Sequence, residues 1–361
     1  MRFDDIIGNG DVKQALVRMV DSGRVPHAIM FYENDGCGAM AIALAFLEYL
    51  MESSKVSRLL HPDVHFIFPV TKGSKVSTDK PTSESYLEYW RELLRANPYF
   101  LEGGLNEALG IEGKSSLIAI AEAKFIIDKL SFVPLEGGYR AIVVYLPEKM
   151  NADTANRLLK SIEEPPENTQ FVFITHAPER VLTTISSRCQ GIRILPLTKD
   201  EVAEVLMKEF GKSEEEAVAA AAVSGGSVGQ ALDYLADNED AGQDSTLFVS
   251  LMDAMLAKDL LAAQDVAEQL AALPSRERAK SFCRYATASL RKIFMLQQGL
   301  PQIAGLTEQE AGPFAGYASR CRKSFVRNAV PYMDKARMLI ERNINLKILF
   351  CDLVNRLYTI I

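Results

Sequence analysis

Three separated stretches of this 361-residue chain carry side chains whose types and spacing could act on phosphate. The first is Ile185-Ser186-Ser187-Arg188-Cys189-Gln190, which follows the apolar run Phe171-Val172-Phe173-Ile174-Thr175. A guanidinium stays charged and offers a planar fork of donors, so Arg188 held outward from a rigid scaffold suits a phosphate. The ordinary alternative is an ion pair that anchors its own loop. The second is Glu33-Asn34-Asp35-Gly36-Cys37-Gly38-Ala39-Met40, placed between a short strand, residues 28–32, and an alanine-rich helix, residues 41–51. That is the layout of a phosphate loop, G-x-x-x-x-G-K-S/T, in which backbone N–H groups cradle the phosphates, the Lys reaches the outer ones and the hydroxyl binds magnesium. Gly36 and Gly38 remain, but Glu33 takes the first glycine position, Ala39 the lysine position and Met40 the hydroxyl position. A tight strand-to-helix turn explains the glycines, and no functional nucleotide site is expected, although a helix N-terminus keeps some attraction for anions.

The third stretch is Tyr145-Leu146-Pro147-Glu148. Phosphate-hydrolysing proteins place acidic residues at such a strand tip to hold magnesium and orient water. Glu148 stands beyond the strand and is followed by Lys149, so it reads as a solvated charge. His61-Pro62-Asp63-Val64-His65 contains metal-ligating types, but zinc normally takes four ligands, and strand alternation puts His61 and His65 on one face, far apart. No metal is expected.

The elements that must position these stretches alternate. Helices are expected over residues 12–20, 86–96, 121–130 and 151–164, and strands over 66–68, 140–146, 171–175 and 192–195, with Pro165-Pro166 stopping the fourth helix. The β-branched run Arg140-Ala141-Ile142-Val143-Val144 suits a parallel strand covered on both faces. Residues 69–80 read as a solvated loop. The pattern is a doubly wound α/β domain, 1–195. Beyond it the chain is helical: 199–210, 213–224 and 230–236 make a small three-helix unit, the polar acidic stretch 238–244 reads as a linker, and further helices are expected over 247–256, 259–273, 277–298, 317–326 and 330–361.

A net charge of -7 argues against a chain that grips nucleic acid alone, because such binding rests on a surplus of Lys and Arg. The five cysteines, Cys37, Cys189, Cys283, Cys321 and Cys351, include no C-x-x-C pair, so neither a disulfide framework nor a thiolate zinc site is suggested. With no run long enough to cross a bilayer and no apolar signal core, a cytoplasmic protein is expected.

Phe3-Asp4-Asp5-Ile6-Ile7-Gly8, Pro26-His27-Ala28, Ala155-Asn156-Arg157-Leu158-Leu159-Lys160-Ser161-Ile162-Glu163-Glu164-Pro165-Pro166 and Ser187-Arg188-Cys189 together resemble the bacterial clamp-loader branch of the AAA+ ATPases. The resemblance implies an α/β AAA+ module with a parallel sheet between helices (1–195), a helical lid (196–240) and an all-α collar (241–361) that holds an oligomer together. It assigns Arg188, flanked by Ser187 and Cys189, the role of a finger reaching ATP on a neighbouring subunit.

Active members of that family carry an intact phosphate loop, an acidic pair at the strand tip and a sensor arginine in a G-S-x-R motif. Here Ala39 and Met40, Tyr145 and Leu146, and Gly229 stand at those places. Three parts of one catalytic site are therefore missing together. The combination resembles the branch that does not hydrolyse ATP yet supplies a finger, and the isolated chain is expected to have no ATPase activity and to bind no cofactor. ATP and magnesium belong to the neighbouring subunit.

The partners implied are motor subunits and a delta subunit met through the collar, the sliding clamp indirectly, and primer-template DNA within a DNA polymerase III complex. The apolar face of the last helix, with Ile344, Leu346, Ile348, Leu349, Leu353 and Leu357, fits core packing and a subunit contact equally well. Two other readings stay open: an ATPase with an unorthodox site served by Lys13, Arg18 or Arg24, and a purely structural scaffold.

Overall fold

The structure, a computed structural model, describes residues 2–274, 276–304, 306, 308–341 and 344–361, with the side chains of residues 237–241, 277, 308, 309 and 341 outside that description. The chain divides into two compact units, Met1–Leu235 and Ala236–Ile361. The first unit runs α1 (Gly10–Asp21), β1 (Ala28–Tyr32), α2 (Ala39–Leu50), β2 (Val64–Ile67), α3 (Leu87–Ala96), α4 (Glu102–Leu109), α5 (Ile120–Leu130), β3 (Arg140–Tyr145), α6 (Ala152–Glu163), β4 (Thr169–Thr175), α7 (Thr183–Ser186), β5 (Gln190–Arg193), α8 (Lys199–Phe210), α9 (Glu214–Val223) and the start of α10 (Val228–Leu256).

The five strands form one parallel sheet in the order β2-β3-β4-β1-β5. Because β4 lies between β3 and β1, the chain ends of β1, β3 and β4 come together at one edge, with Tyr32 level with Thr175 and Tyr145 level with Ile174. Every residue of β3 and β4 is buried, as expected of strands covered on both faces. One face packs on α2, whose residues Ala39–Leu47 are all buried, and the other on Ile126, Leu158 and Ile162 of α5 and α6. Asn151 starts α6 by accepting the Thr154 N–H at 2.8 Å.

The expected fold class holds, a parallel AAA+ sheet with helices on both faces followed by a helical C-terminal region. Several local expectations need correction. His61 lies before β2 rather than on it, accepting the Asp63 N–H, while only His65 is in the strand. Burial lowers the His65 pKa to about 4. Among the described residues no group of three or more His, Cys, Asp or Glu could hold a metal. Glu148 is not a solvated charge: its carboxylate accepts the Thr175 hydroxyl at 2.8 Å and the His176 N–H at 3.2 Å. Residues 69–80 are partly tied down, since Val70 bridges Leu117 and Gly73 N–H donates to the Tyr86 hydroxyl at 2.9 Å.

In the second unit the stretch read as a linker lies inside α10, which continues without a break. The side chains of residues 238–241 lie outside the described residues, and Asp244 is buried, accepting from Arg278 Nη1 at 2.6 Å. There follow α11 (Leu260–Ala271), α12 (Arg276–Gln297), α13 (Pro301–Ala304), α14 (Glu308–Arg320), α15 (Lys323–Glu341) and α16 (Leu346–Ile360). The helix expected over 317–326 is instead the junction of α14 and α15, and the one expected over 330–361 is two helices, the second capped by Asn345. Phe282, Phe314, Phe325, Phe350, Leu353 and Val354 form this unit's core. Leu349, Leu353 and Leu357 are thus satisfied within the chain, whereas Ile348 is 67% exposed.

Candidate functional site

Two places follow from the motifs, the turn after β1 and the corner after α7. At the first, Gly36 adopts φ +80 and Gly38 φ +108, the left-handed region that lets the chain turn sharply into α2. The N-terminus of α2 is where a phosphate loop would hold its anion. Here Glu33, buried, puts its own carboxylate there: Oε2 accepts the Ala39 N–H at 2.8 Å.

The turn is also covered by the chain itself. A Cβ on Gly36 would fall 2.7 Å from both Leu101 Cδ2 and Ser227 Oγ, and one on Gly229 would fall 2.4 Å from the Tyr99 carbonyl oxygen. Gly229 N–H donates to the Gly36 carbonyl at 3.2 Å, and the Ser227 hydroxyl to the Asp35 carbonyl at 2.7 Å. Position 229 is thereby closed to any residue but glycine, since a Cβ there would meet the Tyr99 carbonyl. Tyr99 and Leu101 come from the segment 69–114, and one thing that segment does is seal this turn.

At the strand tips, Tyr145 stands where an acid would be and is fully buried among aromatic rings, 5.3 Å from Phe100, 5.6 Å from Trp90 and 5.5 Å from His176. Leu146 follows in the left-handed region at φ 57. His176, just past β4, was not singled out by its type or spacing, yet it sits between two carboxylates: Nε2 is 3.7 Å from Glu33 Oε1 and Nδ1 is 3.4 Å from Asp35 Oδ1. Burial opposes its charged form, but Glu33, Asp35 and Glu148 outweigh that and raise its pKa. Burial raises the Glu33 and Asp35 carboxyls, and it pushes the Cys37 thiol up to about 12. Asp35 Oδ2 also accepts the Glu102 N–H at 2.9 Å, which holds the start of α4 against the turn. The group is a clasp in which the His176 imidazole faces the Glu33 and Asp35 carboxylates. Met40, the second residue of α2, is packed in the core at 2% exposure.

The second place is different in kind. Arg188 lies after α7 with its side chain 31% exposed, and its guanidinium stays at the surface. Nε donates to Glu163 Oε1 at 2.6 Å and Nη2 meets the same oxygen, while Nη1 donates to the Thr184 carbonyl at 2.7 Å and lies 3.4 Å from Ser187 Oγ. His27, Glu163, Ser187 and Arg188 line a shallow open pocket of about 420 Å³. Cys189 turns the other way, its thiol donating to the Ile185 carbonyl at 3.3 Å, and burial pushes it up to about 12. Ser187 and Arg188 therefore share a surface, and Cys189 anchors the corner. Glu163 went unnoticed as a partner because 25 residues separate it from Arg188.

Sheet order, the glycine turn and the level strand tips define an AAA+-type module in which the Glu33 carboxylate accepts a hydrogen bond at the N-terminus of α2. A family model described as "DNA polymerase III, delta subunit" matches residues 8–198, more than half of the 361-residue chain, and the chain belongs to that family of clamp-loader subunits. It is 33% identical over 121 residues to the DNA polymerase III subunit delta' of Escherichia coli, a match covering 34% of this chain and 36% of that one. It is 25% identical over 234 residues to the subunit tau of Bacillus subtilis, covering 62% of this chain and 36% of that protein. The chain thus spans about a third of the length of these curated relatives. A crystal structure of a gamma subunit-related protein from Thermotoga maritima aligns over 96% of this chain and 99% of its own, at 18% identity and a TM-score of 0.36, too low to add to the fold argument. Among the described residues no helix is long and apolar enough to cross a membrane.

Proposed function

We propose that this chain is a non-hydrolysing clamp-loader subunit, of the delta-prime type, that assembles with ATPase subunits and a delta subunit and lends Arg188 in trans to ATP held by its neighbour. The observation that carries the reading is the Glu33 carboxylate on the Ala39 N–H. With the anion position taken by a buried carboxylate and Tyr99, Leu101 and Gly229 closed over it, triphosphate would have to displace part of the core, whereas Arg188 stands at the surface beside an open pocket. A guanidinium there can stabilise charge building on a neighbour's phosphates, and fingers of this kind are worth about 10³ to 10⁵ in rate.

Family membership supports the remaining parts of the reading. The helices after residue 240 act as the collar of a hetero-oligomer, 196–240 as the lid, the sliding clamp is met indirectly, primer-template DNA is tracked jointly, and the complex works in the cytoplasm. Of the cations an unorthodox nucleotide site would need, Lys13 is engaged by the Phe3 and Ile6 carbonyls and Arg18 extends toward Gln14 on its own helix. The scaffold reading has one observation in its favour, the bonds from Arg188 to Glu163 and Thr184. Calorimetry of the purified chain with ATP and magnesium tests the proposal: no heat of binding at millimolar ATP is expected, and a micromolar Kd contradicts it.

A further inference from the structure

The guanidinium of Arg188 is held by its own chain. Its Nε and Nη2 both meet one oxygen of Glu163, the last residue of α6, and Nη1 is held by the Thr184 carbonyl. The Nε–Nη2 edge is the one that grips a carboxylate or a phosphate in a fork. While Glu163 occupies that edge, a neighbour's phosphate oxygen cannot use it. Glu163 is 43% exposed and the pair faces the open pocket lined also by His27 and Ser187, so water and a partner's phosphate both have access.

We propose that Glu163 is a latch: it parks Arg188 in the free subunit and gives up the Nε–Nη2 edge to phosphate when a nucleotide-loaded neighbour docks. The idea rests on the finger reading above and adds to it a positioning residue and an exchange step. No covalent bond changes; one carboxylate oxygen leaves the fork and one phosphate oxygen enters. Exposed ion pairs are weak, so the latch is easily opened. Its effect is to lower the fraction of time the finger is engaged before the complex is fully assembled, which keeps the neighbour's ATPase low until docking is complete.

The test uses the reconstituted complex with Arg188→Ala, Glu163→Gln, Glu163→Asp and the Glu163→Gln/Arg188→Ala double variant, with ATPase measured with and without primed DNA. Glu163→Gln should raise the DNA-free kcat by about two- to fivefold, the span that an exposed pair can supply, and leave the KM for ATP in place. Glu163→Asp, which keeps the charge, should stay near the parent, and the double variant should match Arg188→Ala. In the isolated chain, ¹⁵N-arginine spectra should show the Arg188 Nε–H exchanging faster with solvent in Glu163→Gln. A lower or unchanged rate in Glu163→Gln, with Arg188→Ala impaired, overturns the latch and leaves the finger standing. An unchanged rate in Arg188→Ala removes both.

Discussion

Replacing Glu33 by Ala strips the phosphate turn of the group that fills it, and the consequence can be worked through from the geometry. The substitution leaves the Ala39 N–H without its 2.8 Å acceptor and leaves the His176 imidazole with Asp35 and Glu148 as its remaining acidic neighbours. A hydrogen bond to a charged acceptor is worth about 1.5–3 kcal/mol, and a buried donor left unmade adds to the loss. Glu33 itself carries a burial penalty, shown by its raised pKa, which offsets part of it. A net loss of about 3 kcal/mol follows, which for a unit of this size lowers Tm by roughly 6–12 °C. Circular dichroism melts of the full chain measure it.

The pH dependence supplies a second handle. His176 and Glu33 both have folded-state pKa values above their ordinary 6.5 and 4.5, so each binds its proton more tightly folded than unfolded. Their contribution is present at low pH and is lost as pH rises through the raised values. For His176 that window opens above 6.5. The parent should lose stability as pH rises above 6.5, and Glu33→Ala should flatten that slope. An unchanged Tm together with an unchanged slope would refute the clasp and the filled turn.

Three further outcomes follow from the same structure. Gly36→Ala forces a Cβ to within 2.7 Å of Leu101 and Ser227 at φ +80 and should cost about 1–3 kcal/mol, read as a lower Tm. Arg278→Ala removes the 2.6 Å bond from Nη1 to the buried Asp244 carboxylate inside the second unit, and should cost about 1.5–3 kcal/mol in urea unfolding. Asn345→Ala removes the cap that accepts the Lys347 and Ile348 N–H groups and should cost about 1 kcal/mol.

The α/β half was readable because its signals are local. The run from Ala28 to Tyr32 became a strand at the expected residues, and the run expected over 140–146 became one that stops at Tyr145, where Leu146 turns into the left-handed region. Arg188 was expected to point outward, and its side chain is 31% exposed. What stayed hidden depends on contacts between distant segments. Glu33 could be seen to break the glycine pattern, but its occupation of the anion position needed α2 in place. Glu148 looked solvated because nothing in the chain near it announces Thr175 as its partner. The helical half misled where periodicity ran on past real breaks: the apolar spacing through Tyr317 and Phe325 continues across the junction at Cys321 and Arg322, and the polar stretch near 240 carries no Pro to stop a helix. Segment 69–114 gave no hint that Tyr99 and Leu101 close the phosphate turn, because their contacts are with residues more than 60 positions away.

The central claim is that this chain gives an arginine to another subunit's ATP. DNA-stimulated ATPase of the reconstituted complex carrying Arg188→Ala tests it most directly, with assembly checked by gel filtration and the fold by thermal melting. The account predicts an intact complex and a rate lowered by at least about 10³ at the neighbouring site; an intact complex that hydrolyses ATP at the parental rate would contradict it.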